Sequence, residues 1–267
     1  MTPGNRMPDV GPPLGADSAD DRLLVAIVGA GPAGFYVASH LLKQNHPVAI
    51  DVYERLPTPF GLVRAGVAPD HQKDKSVVRA FDKVARSPGF RLIGNVQYGR
   101  DVTLDDLKSH YHQVVFATGA HHDRELGIPG EDLAGSHSAA DFVAWYNGHP
   151  DYADLEFNLD TEAAVVVGLG NVALDVARML LRSHEDLRGT DMADYAIEAL
   201  RSSRVRTVYL LGRRGPAQAA FTPVELAEVT ELADVEIARD EADLDALSKA
   251  GIPVDVIFEQ GVEVLGL

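Results

Sequence analysis

Two clusters of small residues and a pair of arginines set the chemistry open to this chain. Gly29, Gly31 and Gly34 follow the apolar run Leu24–Val28 and lead into a second apolar run from Phe35 to Leu42. In the pattern Gly-x-Gly-x-x-Gly the first glycine allows a tight turn and the second lets backbone approach a pyrophosphate. The third lets helix pack on strand. The anion then meets the unbonded N–H groups and positive dipole end of the helix. Alone, such a pattern also fits a β–α turn that binds nothing. Gly168, Gly170 and Ala173 repeat it after Ala163–Val167 and ahead of a helical run to Arg182. A chance pair in matching contexts is improbable, so the chain is expected to hold two dinucleotides.

The residues downstream of each turn distinguish the two ligands. Glu54 ends the strand after the first turn, near the roughly 20-residue spacing of a carboxylate that accepts a ribose hydroxyl. The bland alternative is a solvated strand-end acid. The strand after the second turn, Val205–Gly212, ends instead in Arg213 and Arg214. Guanidinium groups pair with a 2′-phosphate that a carboxylate would repel, which makes the second ligand NADP. A solvated rim pair is the alternative there.

These residues need a scaffold, and the patterning supplies one. Leu24–Val28, Pro47–Glu54, His112–Ala120 and Ala163–Gly168 read as buried parallel strands. The strand ending Ala117-Thr118-Gly119 carries small residues that let a nucleotide come close. Residues 56–71 are too rich in Pro and Gly for regular structure yet too apolar for a linker, so they should pack on something, a flat ring system being one candidate. Helical patterning covers 75–85 and a turn at 104–108, with short strands at 90–93 and 96–98 and irregular chain over 121–145. Thr222 and Pro223 fit the N-cap and first position of a helix through 232. Strand-like pieces near 235–237, 254–258 and 262–265 suit the outer edge of the second sheet. The fold class is α/β, with two Rossmann-like units.

Composition narrows the function further. The 267 residues are 46% hydrophobic and 24% charged, as in globular proteins. There is no cysteine, which excludes disulfides, thiolate metal sites and a dithiol redox centre. A net charge of −16 argues against nucleic acid and anionic membranes as partners. No apolar run reaches the roughly 18–20 residues of a membrane span. Residues 1–22, rich in Pro, Gly and Asp, read as a disordered tail that lacks the core of a secretory signal, so the expected compartment is the cytoplasm.

The segments Val28–Gly34 (VGAGPAG), Pro59–His71 (PFGLVRAGVAPDH), Ile128–Glu131 (IPGE), Gly168–Arg178 (GLGNVALDVAR) and Gly212–Thr222 (GRRGPAQAAFT) together resemble ferredoxin–NADP reductases of the adrenodoxin reductase type. The resemblance covers 23–232. It implies an FAD enzyme that takes a hydride from NADPH and passes electrons singly to a ferredoxin-like iron–sulfur acceptor. By that resemblance Ala33, Glu54, Leu62 and Val96 contact FAD, while Arg124, Leu169, Gly170, Asn171, Val172, Arg213, Arg214 and Glu225 hold NADPH. His71 and Asp175 match a His–Asp pair near the flavin, with a proton-handling role or a structural hydrogen bond. It also implies an FAD-binding domain over 23–119 and an NADP-binding domain over 120–267. The family's later Gly-Trp…Arg-Gly-Pro segment is not found, Trp145 being the only tryptophan, so the FAD domain is expected to be incomplete. The alternative function is a truncated NADPH-binding remnant without turnover of its own, completed by another chain. Ferredoxins are acidic, so docking needs a local basic patch, for which Arg178, Arg182, Arg201, Arg204 and Arg206 are the candidates.

Overall fold

A computed structural model of the chain describes residues 22–120, 123–212, 219–232, 235 and the backbone of 264–266. The chain divides into two compact units, residues 1–67 with 71–122, and residues 68–70 with 123–267. The expected tail lies outside the described residues, apart from Arg22.

In the first unit β1 (Leu23–Val28), β2 (Val48–Tyr53), β3 (Phe90–Ile93) and β4 (Gln113–Phe116) form one parallel sheet in the order β3-β2-β1-β4. Strand alternation assigns the side chains to two cores. Val25, Ile27, Ile50 and Val52 pack with Phe35 of α1 (Pro32–Leu41) and Phe81 of α4 (Val78–Ala85). On the opposite face Ala26, Val28, Tyr53 and Ile93 meet Leu107 of α5 (Leu104–His110) and Tyr111. Each buried Val, Ile or Phe contributes about 1.5–3 kcal/mol, and the central strand collects this on both sides. Two short helices, α2 (Leu62–Ala65) and α3 (Gln72–Lys75), interrupt the long loop between β2 and α4.

One carboxylate lies inside this hydrocarbon. Asp51 of β2 is buried, and Arg91 of β3 meets it through Nε at 2.8 Å and Nη2 at 2.6 Å. The Tyr111 hydroxyl donates to Asp51 at 2.5 Å and also lies 2.8 Å from the Tyr53 hydroxyl. Burial, and then the bond to Asp51, hold the Tyr111 hydroxyl above the ordinary phenol range. A buried charge is tolerable only when paired in this way.

The second unit contains the parallel sheet β5 (Ala163–Val167), β6 (Thr207–Gly212) and β7 (Val264–Gly266), in that order. Its core gathers α6 (Ala139–Tyr146), α7 (Asn171–Leu181), α8 (His184–Leu187), α9 (Asp194–Arg201) and α10 (Pro223–Thr230) around Leu174, Met179, Leu187 and Leu210. Each unit is thus a Rossmann-like α/β layer.

Several expectations need correction. β4 is an edge strand of the described sheet, with Gln113 and Phe116 exposed, because only β1 pairs with it. Among the described residues β5 is covered on one face. Val166 packs inward, while Val165 and Val167 are 57% and 54% exposed. Residues 96–98 form no strand, since Tyr98 makes only an isolated bridge to Val102. The stretch 75–85 splits into α3 and α4. Within 121–145 α6 begins, started by Ser138, whose hydroxyl accepts the Asp141 N–H. The turn at 104–108 is a full helix, because Thr103 and Asp106 complete a reciprocal capping box. α10 begins as expected, with Thr222 accepting from the Glu225 N–H and Pro223 at the first position. The pieces at 254–258 and most of 235–237 lie outside the described residues. Of 262–265 only the β7 part is described, at the sheet's edge as expected.

Candidate nucleotide-binding site

The first turn is built by close approach of backbone. Gly29 has φ 106° and its N–H donates to Tyr53 O at 2.8 Å. A Cβ there would lie 2.7 Å from the Ala117 carbonyl carbon and 3.1 Å from Thr118 Cα, so the end of β4 presses directly on the turn. A Cβ on Gly34 would fall on the Gly29 carbonyl oxygen. Gly31 differs, since its nearest neighbour is Gly61 Cα at 3.9 Å, which leaves an open cradle over α1. Gly31 is the N-cap of α1 and provides no side-chain cap, unlike Thr103, Ser138, Ser183 and Thr222 at other helices. The first-turn N–H groups are therefore left to a ligand or solvent.

Glu54 stands at this turn. Its carboxylate accepts the Ala30 N–H at 3.0 Å and the Leu56 N–H at 3.1 Å. Val96, buried, donates its N–H to the Glu54 carbonyl at 2.9 Å. The Pro/Gly loop reaches the same place, because Phe60 N–H donates to the Ala30 carbonyl at 2.8 Å. Phe60 is buried with Phe35 at 5.2 Å and Phe81 at 6.0 Å between centroids. Ala33, Leu62, Thr118 and Gly119 are exposed around the turn, Leu62 by 66%. His71 is the N-cap residue of α3 in this unit, half-buried.

The second turn has the same plan and a different closure. Gly168 has φ 139°, and its N–H continues the ladder to Leu211 O at 2.8 Å. Gly170, the uncapped N-cap of α7, has nothing within 4 Å of where a Cβ would stand. Over the turn runs the strip 219–222, with Ala220 and Phe221 N–H groups on the Leu169 carbonyl at 2.7 and 3.0 Å. The Thr222 N–H donates to Asn171 Oδ1 at 2.9 Å. Val172 is exposed on the first turn of α7. Arg124 is exposed on the same unit. Arg213 and Arg214 lie outside the described residues, directly after β6.

Asp175 and Glu225, also in this unit, belong to a buried network that sequence reading did not resolve. At its centre is Arg178, 0% exposed. Its Nε and Nη2 bind the Asp70 carboxylate at 2.8 and 3.1 Å, and Nη2 also donates to Asp175 Oδ1 at 2.7 Å. Nη1 lies 3.4 Å from Glu228 Oε2 and 3.7 Å from Glu225 Oε2, both on α10. Arg182 pairs with Asp70 as well. Burial favours the neutral guanidine, but the contacts to Asp70 and Asp175 outweigh it and raise the Arg178 pKa. Tyr146 of α6 is fully buried nearby, and its hydroxyl has no hydrogen-bond partner among the described residues. The signal was present in the sequence. An Arg between the buried Ala177 and Met179 sits on the core face of α7, which also carries Asp175.

The five arginines considered for docking do not make one basic patch. Arg178 is buried, and Arg182 is committed to Asp70. Arg201 pairs with Glu198, Arg204 with Asp160 and Glu162, and Arg206 donates to the Ser203 and Val205 carbonyls.

Comparison with known proteins agrees with this geometry. The family model of pyridine nucleotide-disulphide oxidoreductases matches residues 24–215. NADPH:adrenodoxin oxidoreductase, mitochondrial, of Arabidopsis thaliana is 52% identical over 229 residues, 85% of this chain and 47% of that protein. NADPH-ferredoxin reductase FprA of Mycobacterium tuberculosis is 47% identical over 247 residues, 90% of this chain and 54% of that protein. The structure of that FprA in complex with NADPH superposes with a TM-score of 0.84 at 47% identity, covering 88% of this chain and 54% of that one. The chain spans about half the length of the curated relatives it matches. With no cysteine, it cannot perform the dithiol chemistry of the family name. No helix among the described residues is long and apolar enough to cross a membrane. The paired glycine turns and these matches show that the chain belongs to the pyridine nucleotide-disulphide oxidoreductase family, on the branch that carries the adrenodoxin reductases and FprA.

Proposed function

We propose that this chain is the two-nucleotide part of a flavoprotein oxidoreductase, a ferredoxin–NADP reductase that moves electrons from NADPH through FAD to a ferredoxin-like iron–sulfur protein. The observation that carries the reading is the pair of uncapped glycine turns, at Gly31, where a Cβ would meet Gly61 Cα at 3.9 Å, and at Gly170, where it would meet nothing within 4 Å. A pyrophosphate fits both, since backbone N–H groups and the helix dipole face that space.

FAD is assigned to the first unit, over residues 23–119, and NADP to the second, over 120–267. At the first turn Gly29, Gly31, Ala33 and Gly34 would line the pyrophosphate of FAD. Glu54 would accept a ribose hydroxyl by exchanging its bond to Ala30 N–H. Leu62, Val96, Thr118 and Gly119 would border the same ligand. At the second turn Leu169, Gly170, Asn171 and Val172 would hold the NADPH pyrophosphate. Arg213 and Arg214 would pair with the 2′-phosphate, and Arg124 and Glu225 would add polar contacts. FAD, when bound, supplies the conversion of a two-electron hydride into single-electron steps. The protein's part is to bind, orient and exclude water. His71 and Asp175 are assigned to holding or moving a proton.

The test is direct. The purified chain is examined for flavin bands in the visible and then mixed with NADPH without oxygen. Bands that bleach support the reading, and a flavin-free chain that does not bind NADPH overturns it. A colourless protein that still binds NADPH selects the second reading, a nucleotide-binding remnant completed by another chain. The exposed Val165 and Val167 face of the second sheet favours that second reading. The acceptor is proposed to be ferredoxin-like from the names of the relatives. The cytoplasm is the proposed compartment, by likeness to the bacterial relative. The plant relative is named as mitochondrial, so cell fractionation decides.

A further inference from the structure

We propose that Arg178 is a positioning residue of the second nucleotide turn. It clamps α10 to α7 and thereby holds the 219–222 strip over the glycines. The inference rests on the assignment of NADP to that turn.

The strip is fixed at two places. At the turn itself, the Ala220 and Phe221 N–H groups bind the Leu169 carbonyl, and Thr222 N–H binds Asn171 Oδ1. Beyond the strip, α10 starts at Pro223, and its first acids face Arg178 at 3.4 and 3.7 Å. Asp70 and Asp175 surround the same guanidinium. Among the described residues four carboxylates therefore converge on this buried cation, and Arg182 also pairs with Asp70. Without Arg178, the Asp175 and Glu225 carboxylates, at 12% and 15% exposure, would repel one another with little screening, and Glu228, at 37%, would add a more solvent-screened repulsion. α10 would shift outward, and the strip that begins it would lift from Leu169 and Asn171. A pyrophosphate cradle tolerates little such movement, because its affinity comes from N–H groups aimed at fixed points.

Only an arginine suits this place. The guanidinium offers Nε and Nη2 to one carboxylate while Nη1 faces another helix, whereas a lysine supplies one point of charge. Charge and geometry can therefore be separated. The experiment titrates NADP+ into the full chain by calorimetry and records the melting temperature of each variant. R178K keeps the charge, and its melting temperature is expected within a few degrees of the parent. Its NADP+ affinity is expected about tenfold weaker, because the fork is lost. E228Q, at a residue outside the proposed binding contacts, is expected to weaken NADP+ about two- to threefold. In the R178K/E228Q double variant the two losses are expected to fall short of their product, since both act on one link. An R178K that binds as the parent does, or strictly multiplicative losses, overturns the proposal and leaves Arg178 a purely structural residue. If R178K fails to fold, E228Q decides alone, and unchanged affinity overturns the clamp. A parent chain that melts cooperatively yet binds no NADP+ overturns the nucleotide assignment itself, and the clamp with it.

Discussion

The two glycine turns have one plan and opposite closures. The first is closed by backbone. β4 presses on Gly29, the Gly29 carbonyl occupies the place of a Gly34 Cβ, and Phe60 N–H fastens the long loop onto Ala30. The second is open at Gly170, and its closing strip is held by the Ala220 and Phe221 N–H groups on the Leu169 carbonyl together with polar side chains, Asn171 holding Thr222 and Arg178 gathering four acids. Steric closure tolerates no added atom, whereas polar closure tolerates atoms but not a change of charge. A shared motif therefore does not imply a shared response to mutation.

The largest effect should come from adding one methyl group to each turn. Gly34→Ala must displace backbone and is expected to cost about 3–5 kcal/mol in urea unfolding of the first unit. Gly170→Ala, at φ −110° with open space around it, should change stability by less than about 1 kcal/mol while weakening NADP+. Equal destabilisation would erase the contrast. Next in size is the double variant Arg213→Ala with Arg214→Ala. Losing a charge-assisted pairing of about 2–3 kcal/mol should weaken NADPH by roughly a hundredfold and leave NADH nearly unchanged. Similar losses for both nucleotides would remove the 2′-phosphate assignment. Glu54→Gln keeps one acceptor for two backbone N–H groups, so about 1–2 kcal/mol of stability should be lost together with flavin content. Unchanged flavin would end its ribose role.

The smallest expected effect is one the two units share. Asp106 in the first unit and Glu131 in the second are carboxylates with pKa values held low. The Thr103 hydroxyl and N–H hold the one, and the Leu126 and Gly127 N–H groups the other. A lowered folded-state pKa stabilises above the ordinary carboxylate pKa of about 4, and the contribution disappears as pH falls through the folded value. Urea midpoints of D106N and E131Q should lie slightly below the parent at pH 7, and the gap should close as pH falls through each lowered folded-state pKa. A gap that persists in acid would assign the loss to packing instead.

Much of this was legible from residue types. β1, α1, β2, both glycine turns and the Thr222-Pro223 helix start follow from local periodicity and capping, and local rules held there. β4 and β5 misled because an apolar run announces burial without saying on how many faces. Val165 and Val167 are as apolar as Val166, yet only Val166 meets helices. α6 was hidden by the irregular chain before it, although Ser138 and Asp141 carried its start signal. For the Arg178 network the sequence signalled the buried arginine but not its partners. Its partners come from positions 70, 175, 225 and 228, and no local pattern joins residues so distant in sequence.

That separation has a consequence for synthesis. The four described strands of the first sheet are all made once Phe116 has been added, so they can pair while the following residues are still being translated. Residues 68–70 are the exception, because they pack with the second unit and Asp70 bonds a residue 108 positions later. At about 5–20 residues per second, that partner follows roughly 5–20 s behind. During that interval Asp70 waits for its bond to Arg178. Slowing the ribosome between codons 116 and 178 would lengthen this wait without altering a single contact of the finished protein.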